Sequence, residues 1–186
     1  AGVSSKRIFQ ILDEAEEKDP ETAKPIENMQ GYVEAKDLTF GYEPEKRMIL
    51  KNVSFKAVPN QVTALVGPTG SGKTTIVNLI SKFYDINGGD LLIDGKSIKD
   101  ITRESLRENI TIVLQDTFLF DKTVRENIRY GRLDATDEEV EQAAKAAYAD
   151  NFIRALPQGY DTVLQDNAAN LSAGQKQMLA IARAFL

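Results

Sequence analysis

The sequence predicts an α/β fold organised around a glycine-rich loop, and three observations support this prediction. A dense apolar run, Val62–Val66, leads directly into Gly67, as a strand buried on both faces of a sheet would. After the glycines, Thr74–Phe83 spaces its apolar side chains along one face of a helix. Two further strand patterns precede the loop, and mostly helical patterns follow it. The order of strand, glycine loop and helix is that of a phosphate-binding unit.

The chain before the loop is predicted to contain a helix, a linker and two strands. Residues 3–17 place apolar side chains at helical spacing beside acidic ones, which indicates an amphipathic helix with an acidic end. Residues 18–31 contain two prolines, an asparagine and a glycine, which is typical of a linker. Residues 33–40 and 53–58 have strand patterns, and the alternation in the second predicts half-exposed antiparallel strands.

The second half is predicted to be mostly helical, with short strands at Leu91–Ile93 and Ile110–Leu114. Three helices have a recognisable start, in which a hydroxyl residue and a Glu or Gln three positions later can satisfy each other's free main-chain amides. These starts are Thr123 with Glu126, Thr136 with Glu139, and Ser172 with Gln175. The last of them opens the final helix of the chain.

The composition excludes several classes of function. The chain has 186 residues, a net charge of −5, no cysteine and no histidine. The lack of histidine excludes a Ser-His-Asp triad and an imidazole base, and the lack of cysteine excludes disulfides and thiolate nucleophiles. The negative charge offers no broad basic surface for nucleic acid, so any phosphate binding must be local. No apolar run reaches the roughly 18 residues that cross a bilayer, so we expect a soluble chain.

Residues 67–74 fit the pattern G-x-x-x-x-G-K-[ST], which cradles nucleotide phosphates. Its glycines let successive N–H groups point into one concavity at the positive end of the next helix. Lys73 adds a mobile charge near the β- and γ-phosphates, and Thr74 offers a hydroxyl to Mg²⁺. The alternative is a glycine-rich turn with a solvated lysine. The candidate nucleotide-binding residues are Gly67, Thr69, Gly70, Ser71, Gly72, Lys73, Thr74 and Thr75, and Lys73 is also a candidate catalytic residue.

Three further segments resemble the ATP-binding cassette (ABC) family, in that family's order. Tyr42 resembles the aromatic residue that stacks on adenine, and Gln115 resembles the Q-loop glutamine. Residues 171–175 resemble the LSGGQ signature, with alanine at position 173. The resemblance covers residues 33–186. Other segments resemble the exporter branch: Phe83–Asp85, Leu92–Gly95, Leu119–Phe120, Val124–Gly131, and residues 1–17 as the tail of a last membrane helix.

This resemblance implies a P-loop NTPase core with a RecA-like parallel sheet, an antiparallel β subdomain and a helical signature subdomain. Residues 1–31 would be a tail and linker after a transmembrane domain, and residues 32–186 an ABC ATP-binding domain. Gln115 would be catalytic and would bind Mg²⁺ together with Thr74. The signature residues Ser172, Gly174 and Gln175 would act in trans, closing over ATP on a partner domain in a head-to-tail dimer.

Each motif also has a plainer interpretation. By itself, Tyr42 is compatible with an ordinary edge-strand aromatic residue, and Gln115 with a polar residue leaving a sheet. Local hydrogen bonding alone would explain Ser172 and Gln175 as a capping box. A capped helix nevertheless still presents amide donors and the positive end of its dipole outward. Residues 163–168 occupy the family's coupling-contact stretch or form a plain surface loop.

Family members place a Walker B strand, with a Mg²⁺-associated aspartate and a water-polarising glutamate, after the signature helix, and a switch histidine later. The sequence ends at Leu186, so we expect the C-terminal part of the core to be missing. Three segments imitate that strand, but the first is helical, the second lacks the glutamate, and the third has glutamine in place of the aspartate. They are Ile8–Glu14, Leu91–Asp94 and Ile112–Asp116. We assign none of them, and we expect weak or no ATP turnover by these residues alone.

Together these features predict the ATPase domain of an ABC exporter. The expected cofactors are ATP and Mg²⁺, and the expected partners are a second nucleotide-binding domain and the exporter's transmembrane domain, with no nucleic acid. The expected location is the cytoplasmic face of a cell membrane. Two alternatives remain: a regulatory module that binds nucleotide without hydrolysing it, and a soluble ABC ATPase outside transport. A glutamate after the Walker B aspartate would favour the ATPase, and a gene without membrane spans would favour the soluble protein.

Overall fold

The computed structural model describes residues 9, 12, 13, 16–114, 117–166 and 168–186. The chain divides into two compact units, a first unit of Ala1–Ile110 and a second unit of Thr111–Leu186. Most of the helix predicted over residues 3–17 lies outside the described residues, and so does the predicted site residue Gln115. Among the described residues, every helix is too short or too polar to span a lipid bilayer.

An antiparallel sheet forms the framework of the first unit. Its strands are β1 (Val33–Phe40), β2 (Leu50–Ala57), β3 (Gly88–Ile93) and β4 (Lys96–Ser97), in the spatial order β2-β1-β3-β4. Strand β1 is central, and its first residue, Val33, lies opposite Ala57 of β2 and Ile93 of β3. Strands β1, β2 and β3 each have a less exposed set of side chains and a more exposed set. The predicted half-exposed antiparallel strands are therefore confirmed.

In its described residues, the first unit also contains the α-helices α1 (Lys73–Ile80) and α2 (Arg103–Asn109). Helix α1 buries Ile76 and Leu79 in the same apolar cluster as Leu38 of β1 and Leu91 of β3. This confirms the helix predicted after the glycines, although α1 ends at Ile80 instead of Phe83. The reason is local, because Lys82 adopts a left-handed conformation, with φ +53°, that cannot continue a helix.

Two predicted strands are wrong. Within the described residues, neither Val62–Val66 nor Ile110–Leu114 forms a strand, and Val62 is 99% exposed. A strand is stable only when neighbouring strands satisfy its main-chain N–H and C=O groups. The described antiparallel sheet pairs with neither segment, so their apolar composition alone does not produce a buried strand.

Residues 18–31, whose composition indicates a linker, make specific contacts within the first unit. Ile26 is buried in the core, and its N–H donates to the Ser105 hydroxyl at 2.9 Å. The Lys24 N–H donates to the Asp100 carbonyl at 2.9 Å, and the Thr102 N–H donates to the Lys24 carbonyl at 3.1 Å. These bonds attach the segment that leads into β1 to the residues around the start of α2.

The second unit is helical. It contains α3 (Val124–Arg129), α4 (Asp137–Ala146), α5 (Asp150–Arg154) and α6 (Ala173–Phe185). Its core brings together Val124, Ile128, Val140, Ile153, Leu179 and Ala182. Helices α3, α4 and α6 each begin with a complete capping box, which confirms the three predicted helix starts. These caps satisfy amides that would otherwise lack partners at the helix ends.

Arg183 of α6 and Asn127 of α3 hold these two helices together. The Arg183 Nε donates to the Asn127 carbonyl at 2.9 Å, and the Asn127 side chain is buried. The Phe120 N–H donates to Asn127 Oδ1 at 2.8 Å, so the same amide also anchors the loop before α3. Gly131 follows α3, and a Cβ at this position would collide with the Arg183 carbonyl. The helix that carries the predicted signature is thus tightly packed against α3.

Candidate functional site

The predicted phosphate loop bends back on itself through two glycines in left-handed conformations. Gly70 has φ +81° and Gly72 has φ +92°, a region that residues with a Cβ rarely adopt. The Ser71 N–H donates to the Pro68 carbonyl at 3.2 Å, which closes a turn inside the loop. Helix α1 begins directly after Gly72, so its free N-terminal N–H groups lie beside the loop.

Gly72 also allows the loop to approach the sheet closely. A Cβ at this position would lie 2.6 Å from Cδ2 of Leu50 and 3.4 Å from Cγ2 of Ile49. Leu50 is the first residue of β2 and is buried in the core, so it has little room to move. A side chain at position 72 would therefore push the loop away from β2.

The side chain of Lys73 lies inside the curve of the loop. Its Nζ donates to the carbonyls of Gly67 and Pro68 at 2.8 Å each and lies 3.4 Å from the Ser71 hydroxyl. The loop is thus wrapped around a positive charge whose present acceptors are neutral oxygens. Phosphate oxygens would form stronger, charge-assisted hydrogen bonds with the same ammonium.

The predicted threonines occupy different environments. Thr69 and Thr74 are exposed, the first in the loop and the second in the first turn of α1. Thr75 is buried, and its hydroxyl lies 3.4 Å from the Tyr42 hydroxyl. The structure therefore places Tyr42 beside the first turn of α1, although the loop and the helix follow it far along the chain.

The residues beside the loop suit Mg²⁺, which needs few protein ligands, better than a metal ion that protein side chains alone must coordinate. The exposed hydroxyl of Thr74 is a hard oxygen donor, as this ion prefers, and the other predicted ligand, Gln115, lies outside the described residues. In the described part of the chain, no group of three or more acidic side chains is placed to hold a metal ion. Because Mg²⁺ keeps several waters and is usually bound together with substrate phosphates, one hydroxyl beside a phosphate loop fits it.

The predicted signature residues lie at the start of α6. Ser172 Oγ accepts from the Gln175 N–H at 3.2 Å, and the Ser172 N–H donates to Gln175 Oε1 at 2.9 Å. Ser172, Ala173 and Gly174 are exposed, and a Cβ on Gly174 would meet no described atom within 4 Å. The positive end of the α6 dipole therefore faces open space and is accessible to an anion.

Nothing in the sequence pattern predicts the ion cluster around the buried Lys82, just after the end of α1. The Lys82 side chain is 2% exposed, and its Nζ donates to the Ile101 carbonyl and lies 3.0 Å from Asp19 Oδ1. Arg103 contacts the same Asp19 oxygen at 2.6 Å and both Asp85 oxygens at 2.9 Å. Burial raises the pKa of Asp19, but hydrogen bonds and charges from Arg103 and Lys82 hold this pKa below its ordinary value.

Asp94, which imitates a Walker B aspartate in sequence, has a structural role. Its carboxylate accepts from the N–H groups of Gln30 at 2.7 Å, Gly31 at 3.4 Å and Tyr32 at 2.8 Å. Three main-chain donors therefore share this carboxylate, and they anchor the turn that leads into β1. This role agrees with leaving Asp94 out of the catalytic assignment.

The structure brings some of the predicted site residues together. Tyr42 and the phosphate loop belong to the first unit, where Tyr42 contacts Thr75 in the first turn of α1, whereas the signature residues belong to the second unit. Tyr84 also contacts Tyr42, with ring centroids 4.9 Å apart, and no motif in the sequence assigns it a role. The available signal is its place in the exporter-like segment Phe83–Asp85, just after α1.

Comparisons with known proteins agree with the motifs. A sequence model described as ABC transporter matches residues 50–186. An uncharacterized ABC transporter ATP-binding protein of Bacillus subtilis, YfiC, is 52% identical over 185 residues, which cover 98% of this chain and 30% of that protein. A fatty acid ABC transporter ATP-binding/permease protein of Mycobacterium bovis is 47% identical over 183 residues, covering 98% of this chain and 29% of that protein.

A solved structure has the same fold. It is that of a bacterial Atm1-family ABC exporter with ATP bound, with a TM-score of 0.87 and 40% identity, covering 98% of this chain and 32% of that chain. The present chain thus spans about three tenths of the length of the proteins it matches. The family match extends from β2 through the phosphate loop to the signature helix, and the chain therefore belongs to the ABC transporter family.

Proposed function

We propose that the chain is the ATP-binding domain of an ABC exporter, which uses ATP binding and hydrolysis to drive transport across a membrane. The observation that supports this most directly is the geometry of the first unit. The phosphate loop closes around the Lys73 ammonium, and Tyr42 stands beside Thr75 in the first turn of α1. One region of the unit therefore offers a cationic phosphate cradle and an aromatic ring for the base.

The residues of the cradle have distinct parts in this proposal. Main-chain N–H groups of the loop and of the start of α1 bind the phosphate oxygens, and Lys73 turns from the carbonyls of Gly67 and Pro68 to the terminal phosphates. Thr74 supplies a hydroxyl ligand to Mg²⁺, with Gln115 as the second proposed ligand. When bound, Mg²⁺ neutralises the charge that develops as the terminal phosphoryl group leaves.

A second copy or a related domain completes the proposed site. Ser172, Gly174 and Gln175 would contact the γ-phosphate held by the partner, in a head-to-tail dimer with two such sites. The exposed start of α6 supports this role, because its positive end is open and Gly174 leaves room for an approaching phosphate. The γ-phosphate would then stabilise the closed dimer by contacts that the diphosphate cannot make.

The transmembrane part of the exporter is the second proposed partner. Phe118 and Tyr130 are exposed beside Phe120, and the three rings pack in a row with centroid separations of 5.2 and 4.7 Å. A cavity of about 350 Å³ opens there, lined by Phe120, Lys122, Glu126, Arg129, Tyr130 and Leu133. Exposed aromatic groups around a cavity are typical of a protein–protein contact.

The fraction of its relatives that the chain covers, and the name of one relative, indicate which partner binds this surface. The chain spans about three tenths of its relatives, and the Mycobacterium bovis relative is named an ATP-binding/permease protein. We therefore propose that a segment of the permease part docks on the aromatic surface. Val163 is exposed and bridged to Thr123 at the start of α3, which supports a part in the same contact for the segment that begins at Val163. The chain would then lie at the cytoplasmic face of a cell membrane.

Replacement of Lys73 by alanine tests the nucleotide assignment. In the complete transporter, we expect Lys73→Ala to weaken ATP binding by about tenfold or more and to abolish hydrolysis, because charge-assisted hydrogen bonds to phosphate are lost. Lys96→Ala, which changes an exposed lysine of the same unit, is the matched control and should behave as the parent. Calorimetry with ATP and phosphate release measure the two effects. Normal binding and hydrolysis by Lys73→Ala would refute the cradle.

We further propose that these 186 residues alone turn over ATP weakly or not at all. They contain no histidine, and the segments that imitate a Walker B strand lack the required aspartate and glutamate pair in the right place. A cradle without a positioned base provides binding and partial electrostatic stabilisation only. Steady-state phosphate release would be compared between this chain and a version extended through the expected strand. Equal rates would contradict the proposal.

A further inference from the structure

Tyr84 completes a cluster of three aromatic rings around the proposed base-stacking residue. The ring of Tyr42 lies 5.1 Å from that of Phe40, at an interplanar angle of 85°, and 4.9 Å from that of Tyr84, at 82°. Phe40 and Tyr84 also touch, with centroids 5.8 Å apart. Edge-to-face contacts of this kind are attractive and depend on orientation. The Tyr42 ring is therefore held from two sides.

The two neighbours of Tyr42 differ in how firmly they are anchored. Phe40 is the last residue of β1 and is buried in the core, so it forms a fixed wall. Tyr84 is 45% exposed and lies in the loop after α1, outside the core. Tyr42 is itself 47% exposed, which leaves ring surface for a base. Among these rings, Tyr84 is thus the one whose removal would free Tyr42 without opening a cavity in the core.

The loop that carries Tyr84 is tied to both the phosphate-loop helix and the end of β1. The Phe83 N–H donates to the Asn78 carbonyl of α1 at 3.0 Å. The Asn87 N–H donates to the Thr39 carbonyl at 3.1 Å, and Asn87 Oδ1 accepts from the Gly41 N–H at 2.7 Å. These bonds therefore fix the loop that carries Tyr84 both to α1 and to Gly41, the residue just before Tyr42.

From these contacts we propose that Tyr84 is a positioning residue for the base of bound ATP, because it holds the ring of Tyr42 in the orientation that stacks on adenine. This inference rests on the proposed function, since it requires a nucleotide in the cradle. In this proposal Tyr84 does not contact the phosphates. Loss of the Tyr84 ring lets Tyr42 rotate, and ATP must then order that ring when it binds.

The proposal makes a prediction that a general structural role does not. Tyr84→Leu in the complete transporter raises the dissociation constant of ATP about three- to tenfold, the value of one aromatic pair. It leaves the dissociation constant of inorganic tripolyphosphate unchanged, since that probe has no base. Tyr84→Phe keeps the aromatic ring and binds ATP with the affinity of the parent. Tyr148→Leu, which alters a tyrosine that is 86% exposed in the second unit, is the matched control and binds as the parent.

A double-mutant cycle with Tyr42→Leu tests whether Tyr84 affects ATP affinity through Tyr42. If Tyr84 acts through Tyr42, Tyr84→Leu has no further effect on ATP affinity once the Tyr42 ring is gone. Calorimetry without Mg²⁺ measures ATP and tripolyphosphate binding for every variant while no ATP is consumed.

Three outcomes would overturn the inference. These are unchanged ATP affinity in Tyr84→Leu, an equal loss of ATP and tripolyphosphate affinity, and additive effects of the two substitutions. Failure of the proposed function is distinguishable, because then the unmutated transporter binds neither ATP nor tripolyphosphate.

Discussion

Lys82 and Asp19 form an ion pair that joins the end of the phosphate-loop helix to the segment before the first strand. The two groups are 3.0 Å apart, and the side chain of Lys82 is almost completely buried whereas that of Asp19 is 22% exposed. Asp19 also accepts the Arg103 main-chain N–H at 2.7 Å, at the start of α2. One carboxylate thus links three parts of the first unit that are far apart in sequence.

Replacement of Asp19 by asparagine should destabilise the first unit. The substitution leaves the Lys82 ammonium buried with a neutral acceptor, and removal of one partner of a buried ion pair typically costs about 3–5 kcal/mol in unfolding free energy. Glu43→Gln is the control, because Glu43 pairs with Lys46 on an exposed surface and should have little effect. Urea unfolding followed by circular dichroism measures both. Equal stability of Asp19→Asn and the parent would contradict the prediction.

The stabilising effect of Asp19 should disappear in acid. The pKa of this carboxyl is lowered in the folded protein, because the hydrogen bonds and charges of Arg103 and Lys82 outweigh the opposing effect of burial. A lowered pKa adds stability above the unfolded value, about 3.9, and that stability is lost as the pH falls through the folded value. The difference in unfolding free energy between the parent and Asp19→Asn should therefore be constant near neutral pH and shrink below about pH 4. Urea midpoints over a pH series test this, and a difference that grows in acid would refute it.

Gly174→Leu should spare the fold but block the function of the signature. A Cβ at position 174 meets no described atom within 4 Å, so we expect unchanged stability and unchanged ATP binding. In the proposed dimer, a leucine at this position would obstruct the phosphate bound by the partner domain, so ATP-dependent closure and hydrolysis should be lost. Gly131→Ala is the contrasting variant, since its Cβ would collide with the Arg183 carbonyl and should destabilise the second unit. Thermal unfolding and ATP-dependent crosslinking separate the two effects, and normal hydrolysis by Gly174→Leu would contradict the prediction.

Ser172 should both cap α6 and contribute to ATP hydrolysis, whereas Thr136 should only cap α4. Ser172→Ala removes the acceptor of the Gln175 N–H, and Thr136→Ala removes that of the Glu139 N–H. Loss of an N-cap costs about 1 kcal/mol of unfolding free energy, so both variants should be slightly less stable. Only Ser172→Ala should also reduce ATP hydrolysis by the complete transporter, because Ser172 lies at the proposed γ-phosphate contact. Equal hydrolysis by the two variants would leave the serine with a capping role alone.

The features that the sequence by itself determined are those whose interactions are local. The capping boxes at Thr123, Thr136 and Ser172 involve residues within one helical turn, and the structure confirms all three. The helix after the phosphate loop follows from periodicity. The loop pattern also requires glycine for two local reasons, a left-handed φ at Gly70 and both φ and space at Gly72. Family membership rests on such local patterns in their order along the chain.

Tertiary structure alone decided the features that depend on distant partners. The run Val62–Val66 has the composition of a buried strand, yet it remains exposed because burial requires neighbouring strands that its own residues do not specify. Lys82 is buried only because Asp19 and Ile101, which are distant in sequence, provide its partners, and Tyr84 acquires a proposed role only beside Tyr42. Hydrogen-bond ladders, buried charges and ring contacts join residues far apart in the chain, and short-range sequence patterns carry no information about such distances.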